Sequence, residues 1–314
     1  MNMNKIGIIG TGFVGMAAAY SLFQQKLANQ LVLVDKNSAR AQGEALDLMH
    51  GQPLVGRCDV QAGDYSDLED AGIVVICAGV SQSSPDESRL ELLQRNIKVF
   101  EFIAEQLDQH SPGAMLLIAS NPVDILTQAM QQLSSRPSNM IVGTGTLLDT
   151  SRFRTLLANH YGVSPRSVHA YILGEHGDSE IPVWSSASVA GLAIRGNTIN
   201  GREYDPDAMA RIASEVQHSA YEIIDNKGYT NWAIGLVIAY IIRQVRDNQR
   251  SVMPVTVRLD GEYNLKGGCL SLPAVIGSQG VESLVCPDLD QEELRGLKES
   301  AATLRSSINQ LGMK

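Results

Sequence analysis

KIGIIGTGFVG, Lys5 to Gly15, is a β-branched apolar run that passes into a glycine-rich turn and the start of a helix. In this strand–turn–helix context, Gly10, Gly12 and Gly15 allow a tight turn, a close approach of the backbone to a pyrophosphate, and packing of helix on strand. The helix N-terminus offers unpaired N–H groups to phosphates. The segment therefore predicts a dinucleotide site, in preference to a glycine-rich turn that binds nothing.

The next apolar run, LVLVD, ends in Asp35, roughly 20 residues after Gly15. A carboxylate at the tip of this second strand can accept hydrogen bonds from a ribose diol and would repel a 2′-phosphate. NAD is therefore favoured over NADP as the cofactor. The nearby cations Lys36 and Arg40 weaken that preference slightly.

From Lys5 to about Gly143, short apolar runs alternate with helix-length amphipathic segments. This alternation predicts a parallel sheet of the Rossmann type with helices on both faces. Residues 1–143 are therefore predicted to form an NAD-binding α/β domain. The predicted strands are KIGIIG, LVLVD, GIVVICAG, AMLLIAS and MIVGTG.

Beyond Gly143 the pattern changes to longer helices, short strands such as VMPVTVRL, and a last helix with a capping box of Asp290 and Glu293. These features predict an α+β catalytic and substrate domain over residues 144–314. The apolar run Trp232 to Ile242 is too short to span a membrane and is predicted to be a buried core helix. The three longer helices are predicted at Ser151 to Tyr161, Pro206 to Asp225 and Thr230 to Asp247.

The 314 residues carry 25 basic and 34 acidic side chains, a formal net charge of −9, without a basic run. This balance disfavours nucleic-acid binding, and it leaves the capture of an anionic substrate to a few placed arginines. The four cysteines have no metal or disulfide spacing and are expected to be reduced and packed. No secretory or membrane segment is recognised, so a cytoplasmic protein is expected.

YILGEHGDSEIPVW, Tyr171 to Trp184, contains the best candidate proton carrier, His176. A lone histidine is more often structural, but beside a hydride-carrying cofactor a proton carrier would interconvert an alcohol and a carbonyl. Asp149 could orient the imidazole, and Arg152 could form a two-pronged bond to a substrate carboxylate. An exposed Asp149–Arg152 ion pair is the alternative interpretation.

In these residues and in the motifs below, the chain resembles the NAD-dependent L-lactate dehydrogenases of the lactate/malate dehydrogenase family. The match runs nearly end to end in the family's order, and LGEHGDS is its most specific part. It is carried by GTGFVG, Asp35, AGVSQSSPDESRLELLQRN, SNPVD, LDTSRFR, LGEHGDSEIPVWSS and KGYTNWAIG.

The resemblance implies a role for each matching residue. His176 would donate and accept the proton, Asp149 would be its partner, and Arg152 would bind the substrate carboxylate. Arg89, carried on a mobile closing loop that begins at Ser81, would polarise the substrate carbonyl. Asn121 would contact substrate and cofactor and precede a cis peptide bond at Pro122. The other implied NAD contacts are Val14, Asp35, Arg40, Tyr65 and Gly79. No metal is expected.

Two positions favour lactate over malate chemistry. In the resemblance, Gln82 follows the Ala78–Gly79 turn where malate enzymes carry arginine, and a neutral residue there favours a monocarboxylate such as pyruvate. Thr230 matches the residue that limits pocket size in lactate enzymes. The loop is one residue longer than usual, however, so Ser83 could take the place of Gln82 and admit bulkier 2-keto acids. A malate or branched-chain 2-hydroxyacid dehydrogenase therefore stays an alternative.

Regulation and assembly are less determined by the sequence. Arg154 and His169 match positions that bind fructose 1,6-bisphosphate in allosteric bacterial relatives, although non-allosteric relatives can carry the same pair. The resemblance implies a homo-oligomer, with a tetramer favoured over a dimer. A non-catalytic NAD-binding scaffold would need neither His176 nor the arginines, whose joint presence disfavours it.

Overall fold

In the computed structural model, residues 1–80 and 87–312 are described. The strands within them are β1 Asn2–Ile9, β2 Gln30–Val34, β3 Asp59–Ala62, β4 Ala71–Ile76, β5 Met115–Ile118, β6 Ile141–Gly143, β7 Val168–Leu173, β8 Ile181–Val189, β9 Leu192–Ala193, β10 Ser251–Asp260, β11 Lys266–Gly277 and β12 Gly280–Leu284. The α-helices are α1 Phe13–Gln24, α2 Ser38–His50, α3 Gln52–Val55, α4 Arg89–His110, α5 Val123–Leu133, α6 Leu147–Tyr161, α7 Pro206–Lys227, α8 Trp232–Arg246 and α9 Gln291–Gln310.

The predicted parallel sheet is present, in the order β3-β2-β1-β4-β5-β6. Its central strand β4, Ala71–Ile76, is buried along its whole length, as a strand covered by helices on both faces must be. β3 was not predicted from the sequence, because Asp59–Ala62 is short and only its Val60 is buried. The order reverses between β1 and β4, and such a switch point opens a crevice at the carboxyl ends of the strands.

The C-terminal half contributes to the same sheet. β10, β11 and β12 continue it antiparallel beyond β6, and Thr256 of β10 pairs with Gly143. β7, β8 and β9 form a separate three-stranded antiparallel sheet, packed with α6 and α7 around a second apolar cluster that includes Phe153, Leu157 and Tyr161.

The last helix, α9, begins as predicted. The Asp290 side chain accepts hydrogen bonds from the backbone N–H groups of Glu292 and Glu293, and the Glu293 side chain accepts one from the Asp290 N–H. Its apolar residues Leu297, Leu304 and Ile308 are buried. Each such burial stabilises the fold by roughly 1.5–3 kcal/mol.

Two predictions about burial were wrong in part. The run from Trp232 to Ile242 is a helix, but its Trp232, Leu236 and Tyr240 side chains are exposed, so only one face of α8 is in the core. All four cysteines are free thiols, yet Cys286 is exposed rather than packed. Among the described residues, no helix has both the length and the apolarity required to cross a bilayer.

Candidate active site

The glycine-rich turn lies at the switch point between β1 and β4. Gly10 has φ +97°, and a Cβ atom there would lie 2.7 Å from the backbone nitrogen of Ala78 in the loop after β4. A Cβ atom at Gly15 would overlap the carbonyl oxygen of Gly10. Gly12 differs, because an added Cβ would meet nothing within 4 Å. Gly10 and Gly15 are therefore packed against protein backbone, whereas Gly12 borders open space in which a phosphate group could approach.

Asp35 follows β2 and is held next to this turn. Its Oδ2 accepts hydrogen bonds from the backbone N–H of Thr11 at 2.7 Å and from the Thr11 hydroxyl at 3.0 Å, and its Oδ1 accepts one from the Asn37 N–H at 2.9 Å. Partial burial opposes ionisation, but the hydrogen bonds and the charge of Arg40 outweigh it and lower the pKa of Asp35. The carboxylate is thus ionised at neutral pH and oriented before any ligand binds.

The other predicted cofactor positions lie near the same edge of the sheet. Val14 is in the first turn of α1, and Arg40 is in the first turn of α2 with its Nε 3.8 Å from a carboxylate oxygen of Glu44. Tyr65 follows β3, where burial raises its pKa to about 12 and its ring meets Phe102 edge-on at 5.7 Å. Gly79 follows β4, where an added Cβ would lie 3.0 Å from Oδ1 of Asn96.

Asn121 follows β5, the neighbour of β4, and its peptide bond to Pro122 is cis, as the resemblance implied. The hydroxyl of the preceding Ser120 donates to the carbonyl oxygens of Ala78 at 2.6 Å and Ile76 at 3.2 Å. These bonds tie the ends of β4 and β5 together. The exposed Asn121 side chain is therefore carried by a segment fixed to the loop that contains Gly79.

The segment of His176 is positioned by α6 and β7. Thr146 at the start of α6 donates its hydroxyl hydrogen to the carbonyl of Ile172 at 2.6 Å, and the Ile172 N–H donates to the hydroxyl of Thr150 at 2.9 Å. These bonds fix the first turn of α6, which carries Asp149, against the end of β7. Gly174, with φ +97°, then turns the chain away from the strand toward His176.

Asp149 joins the predicted base and the predicted substrate clamp. Its Oδ2 lies 2.6 Å from Nδ1 of His176, and its Oδ1 accepts a hydrogen bond from Nη1 of Arg152 at 2.7 Å. Asp149 is 2% exposed, so the pair is buried and is not the exposed ion pair that the sequence left open. With Nδ1 engaged by Asp149, Nε2 is the ring nitrogen left for a substrate.

The charges of this cluster set its protonation states. Burial alone would lower the pKa of His176, but the carboxylates of Asp149, Asp124 and Glu180 raise it to about 9. The imidazole is therefore mainly protonated at pH 7. The neighbouring cations His176 and Arg152 overcome the burial of Asp149 and lower its pKa. The imidazolium is thus stabilised by a carboxylate that stays ionised.

Two carboxylates of the cluster were missed by sequence reasoning. Glu180, just before β8, has an oxygen within 4.8 Å of the nearest ligand-type atoms of both Asp149 and His176, and burial and the charge of Asp149 raise its pKa to about 8. Asp124, at the start of α5, accepts a hydrogen bond from the backbone N–H of His176 at 2.7 Å. Both lie in motifs quoted above, EHGDSE and SNPVD, but nothing local in either motif distinguishes them from surface acids.

Several predicted residues lie elsewhere or are not described. Gln82 and Ser83 fall outside the described residues, and of Arg89 only its place at the start of α4 is described. Thr230 precedes α8, and the adjacent Tyr229 ring stacks on Phe13 of the glycine-rich segment at 3.9 Å. Arg154 donates from Nε to the carbonyl of Ala170, next to the exposed His169, with its guanidinium 5.2 Å from the centre of the Tyr171 ring.

The chain has relatives among known proteins. Residues 4–143 match the family model described as lactate/malate dehydrogenase, NAD binding domain, and residues 146–313 match the lactate/malate dehydrogenase, alpha/beta C-terminal domain. The chain belongs to the lactate/malate dehydrogenase family. The two family models together span nearly all of the chain, and the assignment agrees with the observed fold.

Relatives within the family match nearly the full length of the chain. An L-lactate dehydrogenase of Salinibacter ruber is 56% identical over 302 residues, which cover 96% of either chain. One of Thermus aquaticus is 43% identical, covering 98% of this chain and 99% of the relative. Among solved structures, a ligand-bound minor L-lactate dehydrogenase of Enterococcus mundtii is 36% identical, covers 98% of both chains and superposes with a TM-score of 0.94.

Proposed function

We propose that this protein is an NAD-dependent L-lactate dehydrogenase that interconverts pyruvate and (S)-lactate. The observation that carries the proposal is the buried carboxylate of Asp149, which bonds a protonated imidazole and a guanidinium at once. The relatives named L-lactate dehydrogenase, at up to 56% identity over nearly the whole chain, support the same activity.

The residues at the switch point fit NAD. Gly12 leaves space beside the N-terminus of α1, and the ionised Asp35 is oriented at the end of β2 to accept hydrogen bonds from a ribose diol. When bound, NAD supplies or accepts the hydride. We assign residues 1–143 to this binding role and residues 144–314 to the substrate; the two parts meet where α5 contacts the His176 segment and where β10 pairs with β6.

His176 performs the proton transfer. As an imidazolium at neutral pH it donates a proton from Nε2 to the carbonyl oxygen of pyruvate, and in the reverse direction the neutral ring removes the hydroxyl proton of lactate. Asp149 holds the ring in the required tautomer and stabilises its charged form. In net pyruvate reduction that proton leaves in the lactate hydroxyl, and Nε2 takes up another from solvent before the next turnover.

Arg152 binds the substrate carboxylate. Its Nη1 is held by Asp149, so the guanidinium is fixed in direction while its other N–H groups can pair with an anion. Arg89, at the start of α4, would add a second cation beside the reacting carbonyl. Partial burial of Arg152 strengthens its interaction with the substrate, because fewer waters compete for its N–H groups.

A panel of keto acids tests this proposal. NADH oxidation should be fastest with pyruvate, slower with branched 2-keto acids and slowest with oxaloacetate. Gln82→Arg should move the pyruvate/oxaloacetate ratio of kcat/KM toward oxaloacetate, whereas an unchanged ratio would assign the specificity position to Ser83. If no keto acid supports NADH oxidation while NADH still binds, the non-catalytic scaffold becomes the better description.

We also propose that the protein is a cytoplasmic homotetramer. Exposed apolar side chains on three helices support association, because large apolar patches at a monomer surface commonly mark protein interfaces. They are Leu46 and Met49 of α2, Tyr221, Ile223 and Ile224 of α7, and Trp232, Leu236 and Tyr240 of α8. Light scattering with and without fructose 1,6-bisphosphate would distinguish tetramer from dimer and show whether that ligand, for which Arg154 and His169 are the candidate contacts, changes the assembly.

A further inference from the structure

Phe13 and Tyr229 form a ring stack that links the nucleotide turn to the start of α8. Phe13 follows Gly12 and opens α1, whereas Tyr229 immediately precedes Thr230. The ring centroids are 3.9 Å apart and the ring planes differ by 3°. Phe13 is 56% exposed, and neither ring belongs to the two apolar clusters of the core. The stack therefore joins two segments of the proposed active site outside the core, and the mechanism above does not use it.

The chain that follows Tyr229 is anchored on α1. Asn231 is buried, and its carbonyl oxygen accepts the backbone N–H of Gly235 at 3.0 Å in the first turn of α8. A Cβ atom at Gly235 would lie 2.7 Å from the carbonyl carbon and oxygen of Ala17. The two helices therefore approach each other at the level of the backbone. The C-terminal side of Thr230 is thus fixed to the helix that begins at the nucleotide turn.

The chain that precedes Tyr229 has more conformational freedom. Gly228 ends α7 with φ +87°, and a Cβ atom added there would meet nothing within 4 Å. Glycine can change its backbone angles in this region at little steric cost. The exposed Lys227 donates from Nζ to Oδ1 of Asn231 at 2.6 Å, and its Nζ lies 4.7 Å from the centre of the Tyr229 ring. The N-terminal side of Thr230 is thus held mainly through the side chains of Tyr229 and Lys227.

Thr230 lies between these two supports and is half-buried. In the lactate enzymes that the chain resembles, the matching residue limits the space around the substrate methyl group. Small displacements matter at such a wall, because one methylene in an apolar pocket changes kcat/KM by roughly ten- to two-hundred-fold. Whatever holds the backbone at Thr230 therefore also sets which substrate side chains the pocket admits.

We propose that Phe13 and Tyr229 are positioning residues for substrate specificity: their stack holds Thr230 against the nucleotide turn and keeps the pocket narrow enough to favour pyruvate over longer 2-keto acids. The inference rests on the proposed function, because it assigns how this chain fixes one wall of that substrate pocket. Phe13 acts from the nucleotide half and Tyr229 from the substrate half. The width of the pocket thus depends on a contact between the two halves.

Removal of either ring tests the proposal. Phe13→Leu and Tyr229→Leu keep an apolar side chain but lose the stack. In each variant, kcat/KM for pyruvate divided by kcat/KM for 2-ketobutyrate should decrease by roughly three- to tenfold. The double variant should show no larger decrease than either single variant, because the two rings act as one unit. Tyr229→Phe keeps the stack and should retain the wild-type ratio.

Tyr20→Leu is the matched control. Tyr20 is 51% exposed on α1, the helix that Phe13 opens, and its replacement should leave the substrate ratio unchanged. NADH affinity should change less than about twofold in Tyr229→Leu, because Tyr229 lies outside the nucleotide turn. A changed ratio in Phe13→Leu alone would reflect a distorted nucleotide turn and overturn the proposal. Fully additive effects in the double variant would overturn it as well.

Hydrogen exchange of the ligand-free protein reads the same contact without turnover. The backbone N–H groups of residues 229–231 should exchange faster in both leucine variants than in the wild type and in Tyr229→Phe. Faster exchange supports the proposal even if every keto acid is inert, an outcome that would overturn only the proposed function. Faster exchange with an unchanged substrate ratio would assign the stack a structural role and overturn the proposal, as would unchanged exchange.

Discussion

At the nucleotide end of the cleft the chain offers backbone N–H groups and one oriented carboxylate, whereas around His176 it gathers charged side chains from separate segments. The first site is built within one strand–turn–helix–strand unit, with Thr11 and Asp35 in direct contact at the ends of two adjacent strands. The second joins Asp124, Asp149 and His176, which come from α5, α6 and the segment after β7. Backbone geometry dominates the nucleotide site, whereas interactions between charged side chains dominate the site around His176.

Removing the proton carrier should separate the two regions most sharply. His176→Gln deletes the imidazole while the nucleotide turn is untouched, so we expect kcat for pyruvate reduction to fall by about 10²–10⁴-fold. NADH affinity, followed by fluorescence titration, should change less than about twofold. Equal losses in turnover and in NADH binding would show that the two regions are not independent.

Arg152→Lys should have the next largest effect. A lysine keeps the charge but cannot make a two-pronged bond, so kcat/KM for pyruvate should decrease by about 100-fold, mainly through KM. NADH binding should remain nearly intact. The dissociation constant of oxamate, a pyruvate mimic, should rise in parallel, and a normal oxamate affinity would exclude Arg152 as the carboxylate clamp.

On the nucleotide side, Gly12→Ala tests the open face of the turn. An added Cβ meets no protein atom within 4 Å, so folding should be unaffected, while a bound phosphate would be crowded. We expect about tenfold weaker NADH binding with an unchanged melting temperature. Gly43→Ala in α2, equally free of neighbours, is the control and should gain up to about 1 kcal/mol of stability without altering NADH affinity.

The smallest expected effect is at Glu180. Its folded-state pKa of about 8 lies above the usual glutamate value of 4.5, so the folded protein retains a proton and stability falls as the pH rises between those values. Glu180→Gln should flatten that fall, which thermal unfolding between pH 5 and pH 9 would measure. It should also lower the His176 pKa slightly, since Glu180 contributes the smallest of the three carboxylate effects. A melting temperature with the wild-type pH dependence would contradict this account.

The comparison also explains what could be predicted from the sequence. Strand, turn and helix around Gly10 to Gly15, and the capping box of α9, are local patterns, and the structure has them in the predicted places. Residue chemistry made Asp149 a candidate partner of His176 and Arg152 a candidate clamp, and the family resemblance then implied both roles. Their burial and the parts played by Asp124 and Glu180 depend on how α5, α6 and β8 pack, which no local pattern encodes.

The exposed face of α8 shows that a local pattern can also predict burial where the structure has exposure. Its run of apolar residues indicated a buried helix, because hydropathy alone does not distinguish a core from a surface that another protein would cover. Trp232 is 63% exposed, while Ile238 and Ile242 on the other face are fully buried. Which face of α8 is buried is decided by the elements that pack against the helix.

The pairing of Thr256 with Gly143 has a consequence for how the molecule can be divided. A chain cut after residue 143 would lose β10 and leave β6 as an open sheet edge with unsatisfied backbone N–H and carbonyl groups. Such edges recruit strands from other molecules. The nucleotide half expressed by itself should therefore self-associate, even though it contains every residue of its own binding turn.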